Sequence, residues 1–382
     1  MSYASDRVIH DADSHIMEPL QWLDALVDPA HISQVQGLIK TPQRIQEMIE
    51  QATNLRSNAE AFKSAREQPI SGPKGWSAYG AWDGQERAEV MDRLGFASQL
   101  VFPTFGLRPL QATSDVNLKY VLARAYNQAI LAFCADPRLI AVGYVPLEDP
   151  QRAHLEACQA IAEGCGAILL SASAAGTRSP GHTDFDPLWQ ALSDRKVPFV
   201  LHIGAGTITQ PKEFHNNGRE RAPDIHGGGE NLRFCDYTML WYAPQMFLSS
   251  LIYDGVFERF PLLRGGVIES AAGWVPEFLR QLDHAYRAFS RTDPYLQALP
   301  LKPSEYIRRA VKFTPFPNED VGRMIRDAGS ELFLFSSDYP HPEGTDDPLG
   351  RFEASLHNIP ETDLDMFYRK NFEYMLGMHG SV

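Results

Sequence analysis

Val197-Pro-Phe-Val-Leu-His202-Ile-Gly-Ala-Gly206 is apolar at nearly every position before it ends on a histidine and two glycines. A strand with one face in water alternates apolar and polar residues, whereas a strand covered on both faces reads as a continuous apolar run. The stretch therefore predicts a strand at 198–203 inside a parallel sheet whose faces carry helices. Working outward, seven runs of the same kind recur at 8–12, 98–102, 139–145, 166–170, 264–269, 311–314 and 332–336. Helical periodicity between them predicts helices at 117–135, 150–163, 187–195, 275–288, 320–328 and 362–376. The helix at 150–163 has proline as its first residue and Gly164 just past its end, the usual asymmetry of helix termini. Eight strands with helices between them predict an α/β fold of the (β/α)8 TIM-barrel type.

A barrel of this kind typically uses ~250 residues, and the chain has 382. The surplus falls into insertions at about 19–95, 205–240 and 288–304, where the spacing between neighbouring elements is long. The first holds the aromatic stretch Gly75-Trp-Ser-Ala-Tyr-Gly-Ala-Trp82, and the second holds His215, His226 and Gly227-Gly-Gly229. Loops after the first and fifth strands emerge at the C-terminal mouth of a barrel, where active sites are built. No repeat, low-complexity tract or linker divides the chain, so residues 1–382 are expected to form one domain.

The chain carries 35 basic and 48 acidic side chains, a formal charge of −13. That balance, with no dense basic run, speaks against nucleic acid or an anionic membrane surface as partner. The four cysteines, Cys134, Cys158, Cys165 and Cys235, have neither CxxC nor zinc-ribbon spacing. Asp6 and Arg7 stand where a secretory signal needs apolar residues, and no run of ~18 apolar residues occurs. A soluble cytoplasmic protein with reduced thiols is expected.

Chemistry-bearing residues stand at the ends of the proposed strands. The first run leads into Asp11-Ala-Asp13-Ser-His15-Ile-Met-Glu18-Pro19. Residues two apart on a strand share a face, so Asp13 and His15 project together. Alone, such a pair is more simply a capping acid beside a hydrogen-bonded core histidine. His202 ends the fifth run, and the eighth closes with Phe333-Leu-Phe-Ser-Ser-Asp338-Tyr-Pro-His341. Taken together, Asp13, His15, His202 and Asp338 suit one catalytic divalent ion, zinc or manganese, with coordination positions left over.

In this ordered pattern the sequence resembles the amidohydrolase superfamily, in particular the branch with aminocarboxymuconate-semialdehyde decarboxylase and resorcylate decarboxylase. The resemblance runs from Asp13-Ser-His15 to the helix around Asn371. It implies that Asp13, His15 and His202 are metal ligands and that Asp338 is a ligand that also shuttles protons. Two departures stand out. The fourth run ends Ala167-Ile-Leu-Leu-Ser-Ala-Ser173 without the lysine that bridges two metals in binuclear members, which implies a mononuclear site. After the sixth run, Glu269 occupies the place of the branch's catalytic histidine. We expect Glu269 to act with His341, orienting its imidazole so that His341 supplies the missing function.

The expected substrate is a small aromatic or unsaturated carboxylic acid. Arg108, after the second strand, and Arg178 with His182, after the fourth, are candidates for its carboxylate. Trp76 is a candidate aromatic lid, although loop aromatics also build satellite cores. The resemblance favours non-oxidative decarboxylation. Glu269 in place of histidine keeps hydrolysis of a C–C, ester or amide bond, or hydration, open beside it, and a non-catalytic binding protein is the remote third reading. The resembled enzymes imply a homodimer or higher homo-oligomer.

Overall fold

A computed structural model describes residues 2–20, 22–38, 41, 43–206, 211–220 and 234–378. Seven short parallel strands form one sheet in chain order: β1 (His10–Ile16), β2 (Ser98–Pro103), β3 (Leu139–Tyr144), β4 (Ala167–Leu169), β5 (Phe199–His202), β6 (Gly265–Ile268) and β7 (Val311–Phe313). Every neighbouring pair is parallel, as the continuous apolar runs predict. The fourth through seventh strands are buried along their whole length.

The eighth run closes the barrel without becoming a regular strand. Leu334 N–H donates to the Phe313 carbonyl at 2.9 Å, and on the other side Ala12 N–H donates to Phe335 O at 3.0 Å. Farther along, Asp338 N–H reaches Asp13 O at 2.9 Å and His15 N–H reaches Tyr339 O at 2.7 Å. Between these contacts Ser337 N–H donates to the side chain of Asp11 at 2.8 Å. A carboxylate thus takes the place of a ladder carbonyl, and β1 shifts register between Asp11 and Ser14. The expected strand at 332–336 is corrected to an irregular closing segment for that reason.

The helices lie where periodicity placed them, with one exception. Asp149 caps the helix Pro150–Glu163 by accepting from Gln151 N and Arg152 N, and Gly164 ends it at φ 119°, a conformation that favours glycine. The expected helix at 362–376 is instead Glu361–Asp365, a π turn at Met366–Lys370, and Asn371–Met375. The Phe367 carbonyl accepts from Phe335 N–H of the closing segment at 3.1 Å, which draws it out of the α-helical ladder.

The first insertion folds into helices Ile32–Leu38, Gln43–Ser57, Ala59–Glu67 and Gly84–Leu94. It is tied to the barrel by Arg87, a fully buried side chain that donates to Gly80 O at 2.9 Å and to His15 O at 2.6 Å. In the second insertion, His226 and Gly227–Gly229 lie outside the described residues. The third contains the short helix Pro294–Gln297. Among the described residues, no helix is long and apolar enough to cross a membrane.

Candidate active site

The ends of the strands converge on one buried cluster. Asp13 and His15 leave β1, His202 ends β5, and Glu269 follows β6 directly. Each offers one ligand atom, and the four atoms lie within 4.8 Å of one another. His15 Nε2 is 3.2 Å from Asp13 Oδ1, and His202 Nε2 is 3.3 Å from the same oxygen. Glu269 Oε2 stands 3.4 Å from His202 Nε2 and 3.9 Å from His15 Nε2. Asp338, from the closing segment, brings Oδ1 to 3.5 Å from His15 Nε2.

Local backbone aims two of these acids inward. Glu269 and Asp338 take left-handed conformations at φ 50° and 53°, which few non-glycine residues adopt. The turn at Glu269 is held by its N–H, which donates to Thr314 Oγ1 at 2.8 Å. Such conformations persist where the surroundings over-determine them, commonly at functional sites.

The imidazoles are oriented for ligation. Nδ1 of His15 faces the Pro103 carbonyl at 3.0 Å, and Nδ1 of His202 faces the Ile203 carbonyl at 2.8 Å. A carbonyl only accepts, so each Nδ1 carries the hydrogen and each Nε2 presents a lone pair to the cluster. His15 Nε2 is buried there without a hydrogen-bond partner. Burial, reinforced by the nearby charge of His341, pulls the His15 pKa down to about 3, which keeps that lone pair available. Burial pushes Asp338 up from the ordinary carboxylate range, against the pull of His341. Burial would also raise Asp13, yet the adjoining His202 and His15 hold it below that range. Three carboxylates and two imidazole lone pairs meeting out of water fit a divalent cation.

Beside this cluster runs a second set of contacts. His341 is fully buried, stacked on His15 with ring centroids 3.9 Å apart. Its Nδ1 lies 2.9 Å from Asp338 Oδ1, and its Nε2 lies 2.8 Å from Thr104 Oγ1. The Thr104 hydroxyl donates to Ile16 O at 2.8 Å, so it accepts from Nε2–H of His341. With Nε2 protonated, Nδ1 and Asp338 share the next proton between them. The expected orienting of His341 by Glu269 is thereby revised: Glu269 is set against His202 and His15, and Asp338 and Thr104 orient His341.

The loops after β1 and β2, with helices of the first insertion, line a cavity of ≈ 570 Å³ whose walls include Glu18, Trp22, Ile45, Trp76, Phe105 and Arg108. The cluster's own residues do not line it, and Glu18 and its bonded loop connect the two. Trp76 is buried, donates Nε1–H to Glu18 O at 3.1 Å and stacks on Phe105 with centroids 5.1 Å apart. It forms a wall of the cavity. Arg108 lies over the Phe105 ring at 4.2 Å. Arg178 instead pairs with Asp184 at 2.8 Å, and exposed His182 accepts from Asp184 N–H at 3.1 Å, both in a turn after β4. Neither lines the cavity.

Sequence reasoning assigned no role to Glu18 or Thr104. Glu18 stood in the stretch after the first strand as one more acid, and Thr104 followed β2 with no motif to mark it. In the structure the Glu18 carboxylate is buried and accepts from the N–H groups of Thr104, Phe105 and Gly106 at 3.0, 2.8 and 3.0 Å. It holds the loop that carries Thr104 to His341.

A family model described as amidohydrolase matches residues 11–377. No curated protein matches the chain. Among solved structures, an amidohydrolase from Mycobacterium avium subsp. paratuberculosis K-10 is 22% identical with a TM-score of 0.73, covering 97% of this chain and 100% of that one. A 5-carboxyvanillate decarboxylase from Novosphingobium aromaticivorans DSM 12444, complexed with manganese and 4-hydroxy-3-methoxy-5-nitrobenzoic acid, is 18% identical with a TM-score of 0.65 over 98% of each chain. A dihydroxybenzoic acid decarboxylase from Polaromonas sp. JS666, with manganese and 2-nitroresorcinol, is 16% identical with a TM-score of 0.62 over 98% of each chain. At these identities the likeness is one of fold.

Proposed function

The chain belongs to the amidohydrolase family, and from that premise we propose that it is a mononuclear metal-dependent enzyme that decarboxylates a small aromatic or unsaturated acid without oxidation. The observation that carries this reading is the convergence of Asp13, His15, His202 and Glu269, with Asp338 and His341 beside them, at the mouth of the barrel. Solved relatives of the same fold include decarboxylases of aromatic acids that bind manganese.

Asp13, His15, His202 and Asp338 would hold the ion, and Glu269 is placed to complete the set. A bound zinc or manganese ion supplies a fixed positive charge that polarises the oxygens of a chelating substrate. The chain does the rest. The aromatic walls formed by Trp76 and Phe105 take the ring, and Arg108 neutralises a peripheral acidic group. As the C–C bond to the carboxylate breaks, the electron pair stays on the ring carbon. That carbon takes the proton held between Asp338 and His341, and CO₂ leaves. Thr104 fixes the His341 tautomer, so the shared proton lies on the Asp338 side.

The same Asp338–His341 pair also favours a second reading, hydrolysis, in which the pair accepts a proton from an attacking water. One experiment separates the two. Metal-loaded protein is offered a panel of hydroxylated aromatic acids and matched esters and amides, with CO₂ release and acid release followed separately. CO₂ release that Asp338→Asn and His341→Ala each reduce by about 10² or more supports decarboxylation. Acid release without CO₂ supports hydrolysis and overturns the first reading.

We also read residues 1–382 as one domain that self-associates, a reading supported by exposed Tyr242 and Met246 on the helix Tyr242–Tyr253.

A further inference from the structure

The first insertion brings one more charged group toward the centre. Lys74 stands just before the short turn Gly75–Ser77. Gly75 N–H donates to Pro340 O at 2.8 Å, which stitches Lys74 to the loop that carries Asp338 and His341. The Lys74 Nζ is buried and has no hydrogen-bond partner. Its neighbours are the Tyr339 ring, 5.7 Å to the centroid, and the charges of Asp338 and then Asp346.

An ammonium has three hydrogens to donate, and leaving them without an acceptor out of water is costly. Packing against Tyr339 does not account for the arrangement. Arg87 already lies 4.9 Å from that ring, and its guanidinium is bonded to Gly80 O and His15 O. The centre itself is crowded with acids: Asp13, Glu269 and Asp338. A substrate carboxylate entering it meets three like charges and needs positive charge on the chain as well as on an ion.

We propose that Lys74 is the residue that binds the substrate's carboxylate, its orphaned ammonium donating to the carboxylate oxygens on the Asp338 side of the site. This rests on the reading of the protein as an enzyme for aromatic acids. It assigns the selection of acids over neutral analogues to Lys74 of the first insertion, the insertion whose Trp76 lines the cavity with Arg108. Burial lowers the Lys74 pKa to about 8, which leaves the side chain mostly charged near neutral pH.

The test uses the full-length, zinc-loaded protein titrated calorimetrically with 2-hydroxybenzoate and with its neutral counterpart 2-hydroxybenzamide. Wild type is expected to prefer the acid. Lys74→Met is expected to weaken the acid by about tenfold or more, the scale of one charge-assisted contact. It should leave the amide and the zinc stoichiometry unchanged, and Lys74→Arg should restore part of the preference. Lys74→Gln, which keeps a polar group in the buried place, takes the role of Lys74→Met if that variant does not fold. An acid preference that survives both neutral substitutions overturns the assignment of Lys74 alone. If wild type binds neither probe, the aromatic-acid reading fails, and the Lys74 proposal with it.

Discussion

Glu18 offers the sharpest single perturbation of the site's framework. Its carboxylate is the acceptor for three consecutive backbone N–H groups, with Thr104 and Gly106 on Oε1 and Phe105 on Oε2. Glu18→Ala leaves all three donors without their acceptor, Gly106 N–H in a buried place and Thr104 and Phe105 N–H in partly buried ones. A buried donor left unsatisfied costs about 1–3 kcal/mol, so the low end for three is about 3 kcal/mol. Glu18→Gln keeps one oxygen, which retains Thr104 and Gly106, and turns an amide N–H₂ toward Phe105 N–H. It should therefore lose about 1–3 kcal/mol, the cost of one donor. Gly106 gives an independent check, because a Cβ added there meets Glu18 Oε1 at 2.9 Å and Trp22 at 3.0 Å, so Gly106→Ala also disturbs the loop. Urea unfolding followed by fluorescence reads the stabilities. Turnover should fall with them, since the loop delivers Thr104 to His341. A Glu18→Ala protein within about 0.5 kcal/mol of wild type, the scatter of ordinary surface substitutions, refutes the argument. So does a Glu18→Gln protein less stable than Glu18→Ala.

Two further outcomes follow from the buried charges. A divalent ion at about 1,000 times its dissociation constant should stabilise the fold by about 4 kcal/mol; thermal unfolding with manganese or zinc against a chelator measures this, and His202→Ala should abolish the shift. Lys312 on β7 is buried, and burial lowers its pKa to about 8 from an ordinary 10.5. The unfolded chain therefore binds more protons between those values, so this group makes stability rise as pH goes from about 8 to 10.5. Urea midpoints across that range should climb more steeply for wild type than for Lys312→Met, and equal slopes would sink the assignment.

The site was half legible before any tertiary structure. Asp13, His15, His202 and Asp338 stood out because each ends an apolar run, and strand ends at one rim of a barrel meet. The partners of Glu269 and His341 were not legible, because they depend on how side chains turn at the rim. Glu269 and Asp338 leave the barrel at positive φ, a conformation that no spacing announces. Thr104 and Glu18 had no pattern of their own. Their roles arise from contacts to residues 237 and 86–88 positions away. Arg178 and His182 looked like Arg108 in sequence, each a polar residue past a strand. Only the path of the turn after β4 separates them from the cavity.

By itself the sequence determined the barrel, its order of strands and the residues that end them, because burial on both faces writes continuous apolar runs and helix ends write proline and glycine. It also set the acidic, metal-hungry character of the mouth. Tertiary structure alone decided that the eighth segment closes the barrel through the Asp11 side chain, that Asp338 and Thr104 meet the two ring nitrogens of His341, and that the turn after Lys74 in the first insertion is bonded to the loop carrying Asp338. These are contacts between groups far apart in the chain. They exist only where the fold has removed water and left each polar atom to find a partner.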